Sequence, residues 1–217
     1  MQTRIRITSE MVRQSQSEDD PWRLGNQVLY DLCGTHPKHF DDAEIVGKVW
    51  LIGRAYAASL ERGRGVTVGP DVPNDLFYTK HLTKMFRASQ LDKKLKALET
   101  TTDVNESNVA KMLDAHGYLV GLFEKLTSKG KRSLASKYLH FHRPNLFFIY
   151  DSRAMSSIRR LSVPGRVIDA PRSADTQYAQ FVSKALGLRD HVRDEFGAQL
   201  SPRQFDRLLL ATFMLRE

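Results

Sequence analysis

The sequence predicts an all-α protein, on three observations. Apolar residues recur at helical spacing along most of the 217 residues. Residues that favour helix starts and stops bracket these apolar stretches. The long alternation of apolar and polar residues that marks half-buried strands is missing, as are internal repeats and low-complexity tracts. We expect one helical domain over residues 1–217, with lobes of about 1–104 and 105–217 around a cleft.

In the first half of the chain, polar residues and glycines set the expected helix boundaries. The acidic residues before Pro21 favour a helix start, and that helix ends near Cys33-Gly34. Asp41-Asp42 begin the longest apolar segment, a helix expected to be central and mostly buried, and Gly63 ends it. The stretch "GRGVTVGPDVPND" predicts a loop, and a helical stretch follows over about 75–98.

The second half continues the helical pattern. Asn105 or Ser107 is expected to cap a strongly amphipathic helix that stops at "LTSKGKRS". Another amphipathic helix follows and breaks at Arg143-Pro144. The last helical stretches are 172–188 and "SPRQFDRLLLATFMLRE", in which Ser201-Pro202 supply the cap and the first helical residue.

The composition is that of an ordinary globular protein, with 41% hydrophobic and 27% charged residues. No window approaches 18 uninterrupted apolar residues, so we expect no transmembrane helix. The first ten residues lack the apolar core of a signal peptide. A single cysteine, Cys33, excludes an internal disulfide and a cysteine-based zinc site. These features together favour the cytoplasm.

The positive charge is concentrated in one segment. The chain carries a net charge of +8, and residues 129–172 contain ten Lys or Arg against two acids, Asp151 and Asp169. Such a segment is typical of a protein that binds the phosphate backbone of nucleic acid. A solvated basic face without a partner and a surface for an acidic protein are the two alternatives.

Several motifs that suggest chemistry have simpler explanations. His140 and His142 lie two residues apart in a helical pattern and therefore point in different directions, so packing or phosphate contact is favoured over metal binding. "HPKH" at 36–39 lies in a loop, with no partners evident in the sequence. Cys33 is assigned a structural role. The chain has no P-loop, no dinucleotide-binding glycine motif and no H-E-x-x-H.

Asp151 is the strongest candidate for a functional residue. The apolar run "LFFIYD" ends in this single acid, and "SRAMSSIRRL" reads as the helix that follows. In the structural interpretation, Asp151 caps that helix. In the functional interpretation, the same carboxylate lies at the floor of a cleft and stabilises a cation or activates water. A carboxylate within a surface that binds polyanions repels its ligand, which favours a chemical role.

The region 105–165 resembles the helix-hairpin-helix DNA glycosylases. Their layout is a helix, a hairpin with glycine and basic residues, a second helix, a loop and an apolar run into Asp. Their hairpin reads L-P-G-V-G-[RK]-[KS]-[TA]-A, and the matching stretch here is "LTSKGKRSLA". Leu126, Gly130, the basic residues and Ala135 correspond, whereas the proline and the first glycine do not.

The resemblance implies the roles of several residues. Asp151 would be catalytic and would support removal of a flipped-out base. In lyase members a lysine about eighteen residues before this Asp forms a Schiff base, and Ser133 occupies that position here. A monofunctional enzyme is therefore favoured, with Lys131 or Lys137 as the alternative nucleophile if the loop length differs. The residues implied in contact with the DNA backbone are Lys129, Gly130, Lys131, Arg132, Arg153, Arg159 and Arg160, with Ser133 supplying a hydroxyl.

The resemblance also implies which residues form the base pocket and whether a cofactor is bound. Trp50, Arg54, Tyr56 and Tyr150 are candidates for the pocket, although Trp50 and Tyr56 also fit a plain core role. No cofactor or metal is expected beyond a monovalent cation at the hairpin, since one cysteine cannot hold an iron–sulfur cluster.

The expected partner is DNA, and the expected state is a monomer. The resemblance extends to compact bacterial glycosylases of phage defence, and it implies a bulky base such as glucosylated hydroxymethylcytosine as one candidate substrate. A non-catalytic DNA-binding protein and an interaction module are the competing functions.

Overall fold

The computed structural model describes residues 5–62, 68–69 and 71–214, and over these residues the chain is all-α, as predicted. Their extended pairing is limited to an isolated bridge between Ile5 and Leu161. The helices are α1 (Ser9–Gln16), α2 (Arg23–Thr35), α3 (Asp42–Ala55), α4 (Asn74–Leu76), a π-helical segment (Phe77–Leu82), α5 (Thr83–Arg87), α6 (Leu91–Lys96), α7 (Val109–Thr127), α8 (Arg132–His142), α9 (Ser152–Arg160), α10 (Thr176–Phe196) and α11 (Pro202–Met214). None of these helices has both the length and the apolar character needed to cross a membrane.

Helix α3 begins as predicted and ends earlier. The Asp41 side chain accepts a hydrogen bond from the Glu44 N–H at 3.0 Å. The helix then ends at Ala55, and Gly63, its predicted end, lies outside the described residues. The reason lies in the backbone: Ala57 has a positive φ of 50°, and the Ala58 N–H returns to the Gly53 carbonyl at 2.8 Å. This 6→1 bond is a helix-ending motif that usually contains glycine.

Other boundaries differ from the sequence prediction where local bonds intervene. The predicted helix over 75–98 contains the π-helical segment and a break between α5 and α6. Helix α7 begins after Asn108, so neither of the two predicted caps occupies the N-cap position. Helix α10 begins after Asp175, which caps the Tyr178 N–H at 2.8 Å, and runs on to Phe196. Helix α11 begins as predicted, with the Ser201 hydroxyl accepting from the Gln204 N–H at 3.2 Å.

Helix α8 is the centre of the fold. All its residues from Leu134 to His142 are buried, and it packs against α2, α3 and α7. Helices α9 and α11 pack on each other, and α1 packs on α11. One apolar cluster extends from Ile7 to Leu209. The residues on α8 are therefore held rigidly, which matters for the side chains that point from it into a cavity.

The loop at 36–39 has partners that its sequence did not reveal. The His39 ring lies between Asp92 Oδ1, 2.5 Å from Nδ1, and the Tyr138 hydroxyl, 2.6 Å from Nε2. The fully buried Lys48 donates from Nζ to the carbonyls of His36 and Lys38 at 2.6 and 2.7 Å. These groups come from α3, α6 and α8, remote in the chain, and they fix the loop that joins α2 to α3.

The histidine pair of α8 is a packing feature. His140 is buried, with Nδ1 donating to the Phe147 carbonyl at 2.9 Å and Nε2 lying 2.7 Å from the Tyr30 hydroxyl. His142 is buried beside His39 and Tyr138. Within the described ranges, no cluster of three or more metal-ligating side chains is present.

We expect acidification from pH 7 to pH 5.5 to lower the free energy of unfolding by about 3 kcal/mol. Burial lowers the pKa of His116 to about 3 and of His140 to about 4, and lowers the pKa of His142 well below its usual value. The unfolded chain protonates these rings near pH 6.5, whereas the folded chain does not. The stability that these neutral rings contribute to the fold is therefore fully present above pH 6.5. It is lost as the pH falls toward their folded-state pKa values. Burial raises the pKa of Asp206, which offsets about 1 kcal/mol of the loss.

Urea unfolding at the two pH values measures this effect. His116 stacks on Tyr178 with ring centroids 3.6 Å apart, so His116→Phe keeps the stack and removes one titrating ring. This variant should lose about 1 kcal/mol less than the wild-type protein on acidification. Stability that stays constant or rises from pH 7 to pH 5.5 would contradict the assignment of three neutral buried histidines.

Candidate active site

Asp151 is positioned by the extended segment before it. This segment lies along α8, where the Tyr150 N–H donates to the Ser136 hydroxyl at 3.0 Å. On its other side, the Tyr178 hydroxyl of α10 donates to the Phe148 carbonyl at 2.9 Å. Asp151 then caps α9, with Oδ1 accepting from the Ala154 N–H at 2.9 Å, as the sequence predicted. Side chains from two neighbouring helices thus bind the backbone that leads to this carboxylate.

The second oxygen of Asp151 faces a buried lysine. Lys137 Nζ lies 3.3 Å from Asp151 Oδ2 and also donates to the Ser133 hydroxyl at 2.8 Å and the Tyr150 carbonyl at 3.3 Å. The Lys137 side chain is 1% exposed and that of Asp151 is 30% exposed. Burial lowers the pKa of Lys137, while the Asp151 charge acts in the opposite direction. All three ammonium protons have acceptors, so the pair is fully hydrogen-bonded on the lysine side.

Both residues line a cavity of about 870 Å³. This volume lies within the range of small-molecule sites, roughly 300–1,000 Å³. The cavity is bounded by residues of α2, α3, α8, α9 and α11, so it draws on both halves of the chain. Its apolar walls include Trp22, Val28, Leu29, Leu51, Ile149 and Leu210. Its charged groups are Lys137, Asp151, Arg153, Arg203 and Asp206. Apolar walls around a few convergent polar groups are typical of a ligand site.

A second charged group in the cavity centres on Arg203 of α11. Its guanidinium donates to Asp20 Oδ2 at 2.9 Å and to Asp206 Oδ2 at 2.8 Å. Burial raises the pKa of Asp206 to about 6; Arg203 lowers it, and the charge of Asp151 raises it further. The cavity therefore contains two carboxyl groups in different environments, one paired with Lys137 and one sharing a guanidinium with Asp20.

Asn26 of α2 and Tyr56, the residue that follows α3, form a polar part of the wall. The Tyr56 hydroxyl donates to Asn26 Oδ1 at 2.7 Å, and Lys137 Nζ lies 5.6 Å from the centroid of the Tyr56 ring. Asn26 is 5% exposed, and its Nδ2 has no hydrogen-bond partner in the part of the chain that the structure describes. A buried donor without a partner is unusual in a native structure and is a candidate contact for a ligand acceptor.

Of the four residues suggested for a base pocket, only Tyr56 is among the described residues that line the cavity. Trp50 is 44% exposed, and the guanidinium of Arg54 lies 5.8 Å from its ring centroid while pairing with Glu61 at 2.5 Å. The Tyr150 ring packs between α8 and α10, 5.3 Å from the Phe181 ring. Its carbonyl, not its ring, contacts Lys137.

The turn between α7 and α8 presents fewer free basic groups than the sequence suggests. Lys129 and Gly130 are exposed. Lys131 Nζ donates to the carbonyls of Ser59 and Arg62, which ties the turn to the chain after α3. Arg132 forms a two-bond ion pair with Asp175 at 2.5 and 2.6 Å. These two cations bind the protein itself because the turn packs against segments that are distant in sequence.

The remaining candidates lie on or near α9 and at the cavity wall. Arg153 is exposed, lines the cavity and lies 5.8 Å from the Phe213 ring centroid. Arg159 is exposed on the last turn of α9, and Arg160 is half-buried, with its carbonyl accepting from the Ile5 N–H at 3.1 Å. Ser133 lines the cavity and accepts the hydrogen bond from Lys137.

Three residues of this site were missed at the level of sequence. Asp206 was detectable, since it falls on the face of α11 that buries Pro202, Phe205 and Leu209, where a carboxyl is out of place. Arg203 and Asn26 carried no such signal, because exposed helical positions often hold these residues. Only the tertiary arrangement brings them beside Asp151.

No family model, curated protein or solved structure matches the chain. The cavity and its charged groups are therefore the basis on which a function is assigned.

Proposed function

We propose that the protein is a DNA glycosylase that removes a flipped-out base through Asp151, in a fold of the helix-hairpin-helix type with two lobes around the cavity. The observation that carries this proposal is the Asp151 carboxylate, which is bonded to the Ala154 N–H and Lys137 at the start of α9 and is partly exposed beside a cavity of about 870 Å³. A base that leaves the DNA stack needs an enclosed pocket of this kind.

The walls of the cavity suit a planar base. Tyr56 and the exposed Trp22 both line the cavity and supply aromatic side chains against which a base can pack. Asn26 Nδ2 is available to donate to a carbonyl or ring nitrogen. The volume leaves room for a base that carries a bulky substituent, so glucosylated hydroxymethylcytosine belongs among the substrates to be tested.

Asp151 would act on the sugar and not on the base. As the bond from C1′ to the base breaks, positive charge develops on the sugar, and a carboxylate within the cavity stabilises it. Exclusion of water strengthens this attraction. A water molecule then adds to C1′ and leaves an abasic site. Lys137 orients the carboxylate through Oδ2, while Ala154 holds Oδ1.

The DNA backbone would pass over the turn between α7 and α8 and the start of α9. Lys129 and Gly130 are exposed in that turn, and Arg153 stands at the cavity beside Asp151. Exposed cations and backbone amides near the reacting sugar position the strand without reading its sequence.

The bonding of Lys137 supports a monofunctional enzyme. A lysine that attacks C1′ needs a free lone pair, whereas Nζ donates to Ser133, Tyr150 and Asp151. The competing lyase mechanism has its own support, because burial lowers the pKa of Lys137 and the side chain lines the cavity. The two mechanisms differ in the products that they leave.

Strand-cleavage gels separate these mechanisms and test the function. Duplexes that carry oxidised, alkylated, deaminated or glucosylated bases are incubated with the protein, and each is analysed with and without hot alkali. We expect strand breaks for one substrate only after alkali, and no protein–DNA adduct after borohydride reduction. Breaks before alkali, with an adduct lost in Lys137→Met, would replace the monofunctional mechanism by the lyase mechanism. DNA binding without alkali-labile sites on any substrate would contradict the glycosylase proposal.

A further inference from the structure

The two carboxyl groups bound to Arg203 carry more negative charge than its single guanidinium balances. Three carboxyl groups form ion pairs at or beside the cavity: Asp151 pairs with Lys137, and Asp20 and Asp206 both pair with Arg203. Lys137 binds Asp151, whereas the single guanidinium of Arg203 binds both Asp20 and Asp206. The group formed by Arg203, Asp20 and Asp206 therefore has a net negative charge when both carboxyls are ionised.

The excess charge falls where water is least able to stabilise it. The Asp206 side chain is 5% exposed, against 12% for Asp20 and 30% for Asp151. A buried carboxyl without a full counter-charge takes up a proton instead of remaining ionised. In agreement, burial raises the pKa of Asp206 to about 6. Burial also acts to raise the pKa of Asp20, but its bonds to Arg203 and the Trp22 N–H, together with the nearby charge of Arg207, lower it, so the proton is taken up by Asp206.

The other groups that face Asp206 do not remove this imbalance. Lys137 of α8 lowers the pKa of Asp206, but it is bonded to Asp151, whose charge acts in the opposite direction. Tyr30 of α2 and Tyr56, the residue after α3, also interact electrostatically with Asp206, and burial raises the pKa of both phenols, which keeps them neutral. Arg153 lines the same cavity and is exposed to water.

We propose that Asp206 is the general acid of the reaction and donates its proton to the departing base. This proposal rests on the proposed glycosylase function and assigns a second catalytic residue to the same cavity. Two carboxyls in different environments, one paired with a lysine and one buried and sharing a guanidinium, are the arrangement by which glycoside-cleaving sites divide their work between a stabilising carboxylate and a proton donor.

The Asp206 proton is transferred as the bond between the sugar and the base breaks. The bond between C1′ and the base nitrogen breaks, and both of its electrons leave with the base. The proton of the Asp206 carboxyl passes to a nitrogen or oxygen atom of that base, while the Asp151 carboxylate stabilises the cationic sugar. The oxygen of a water molecule then bonds to C1′, and the proton that this water releases returns to Asp206. The products are the neutral base and an abasic sugar.

The test is the pH dependence of single-turnover base release between pH 5 and pH 8.5, on the substrate that the gels identify. For the wild-type protein we expect a rate that is level at low pH and falls tenfold per unit once Asp206 ionises. Asp206→Asn should be about 100-fold slower at pH 5.5 and should lack this fall, because an amide cannot transfer the proton. A merely structural role would lower the rate equally at all pH values and preserve the shape of the profile.

Asp20→Asn provides a second variant that leaves Asp206 in place. With Asp20 neutral, Arg203 serves Asp206 alone, so the pKa of Asp206 should fall and the decline in rate should begin at lower pH. This shift tests the role of Asp206 as general acid even if Asp206→Asn does not fold. Far-UV circular dichroism would show whether that variant folds. A wild-type profile without the decline, or a decline that persists in Asp206→Asn, would overturn the role of Asp206 and leave the glycosylase function standing. Failure of the wild-type protein to release any base would overturn both.

Discussion

Asp151→Asn is expected to reduce base release at least 1,000-fold while leaving DNA binding equal or tighter. The amide keeps the shape of the side chain and accepts the hydrogen bond from the Ala154 N–H, but it carries no charge to stabilise the sugar cation. The loss of a negative charge beside bound phosphates also removes a repulsion. Single-turnover release and a fluorescence binding titration measure the two effects separately.

The matched control is Asp41→Asn. Asp41 caps α3 through the Glu44 N–H, as Asp151 caps α9, and it is not among the described residues that line the cavity. Asn is about as good an N-cap as Asp, so Asp41→Asn should keep its stability to within about 0.5 kcal/mol. Asp151→Asn also leaves the buried Lys137 ammonium without its counter-charge and should lose about 2–3 kcal/mol, so both variants are assayed well below their melting temperatures. Only Asp151→Asn should lose activity. If both variants release base at the wild-type rate, Asp151 is a helix cap and the binding-protein interpretation stands.

Lys137→Met is expected to cost about 2–3 kcal/mol of stability and to slow base release roughly 10–100-fold. Methionine fills a similar volume but cannot bond to Ser133, Tyr150 or Asp151. The Asp151 carboxylate then keeps its bond to Ala154 and loses the contact that orients its second oxygen. Thermal unfolding and single-turnover rates, measured well below the melting temperature, report the two effects.

Lys48→Met separates loss of stability from loss of orientation. Lys48 is the other fully buried lysine of the described residues that donates to backbone carbonyls, and its partners lie in the loop at 36–39. Its replacement should destabilise the fold by a similar amount and leave base release unchanged. If Lys137→Met loses as much base release as Asp151→Asn, Lys137 acts as a nucleophile and does not merely orient Asp151.

The sequence was sufficient for the features that depend on local chemistry. Helix periodicity predicted an all-α chain, and capping residues located the starts of α3, α9 and α11. The same reasoning placed Asp151 at a helix start. It failed where the backbone follows tertiary packing: α3 ends at Ala55, two residues before Ala57, a non-glycine residue with positive φ, and no local pattern predicts such an ending.

The site was predicted in part because only some of its residues are close in sequence. Ser133, Lys137 and Asp151 lie within one motif, and all three line the cavity. Asn26 and Asp206 come from the two ends of the chain, and the packing of α2 and α11 decides their position. The same limit applies to the basic residues, since nothing near Arg132 in sequence identifies Asp175 as its partner.

We expect the cavity beside Asp151 to accept a base and release it from DNA. The most direct test is mass spectrometry of the low-molecular-weight fraction after the purified protein has acted on the substrate panel, with abasic sites counted in the same reaction. We expect one intact free base for each abasic site on one class of substrate. DNA that is bound but yields neither free base nor abasic sites would contradict it.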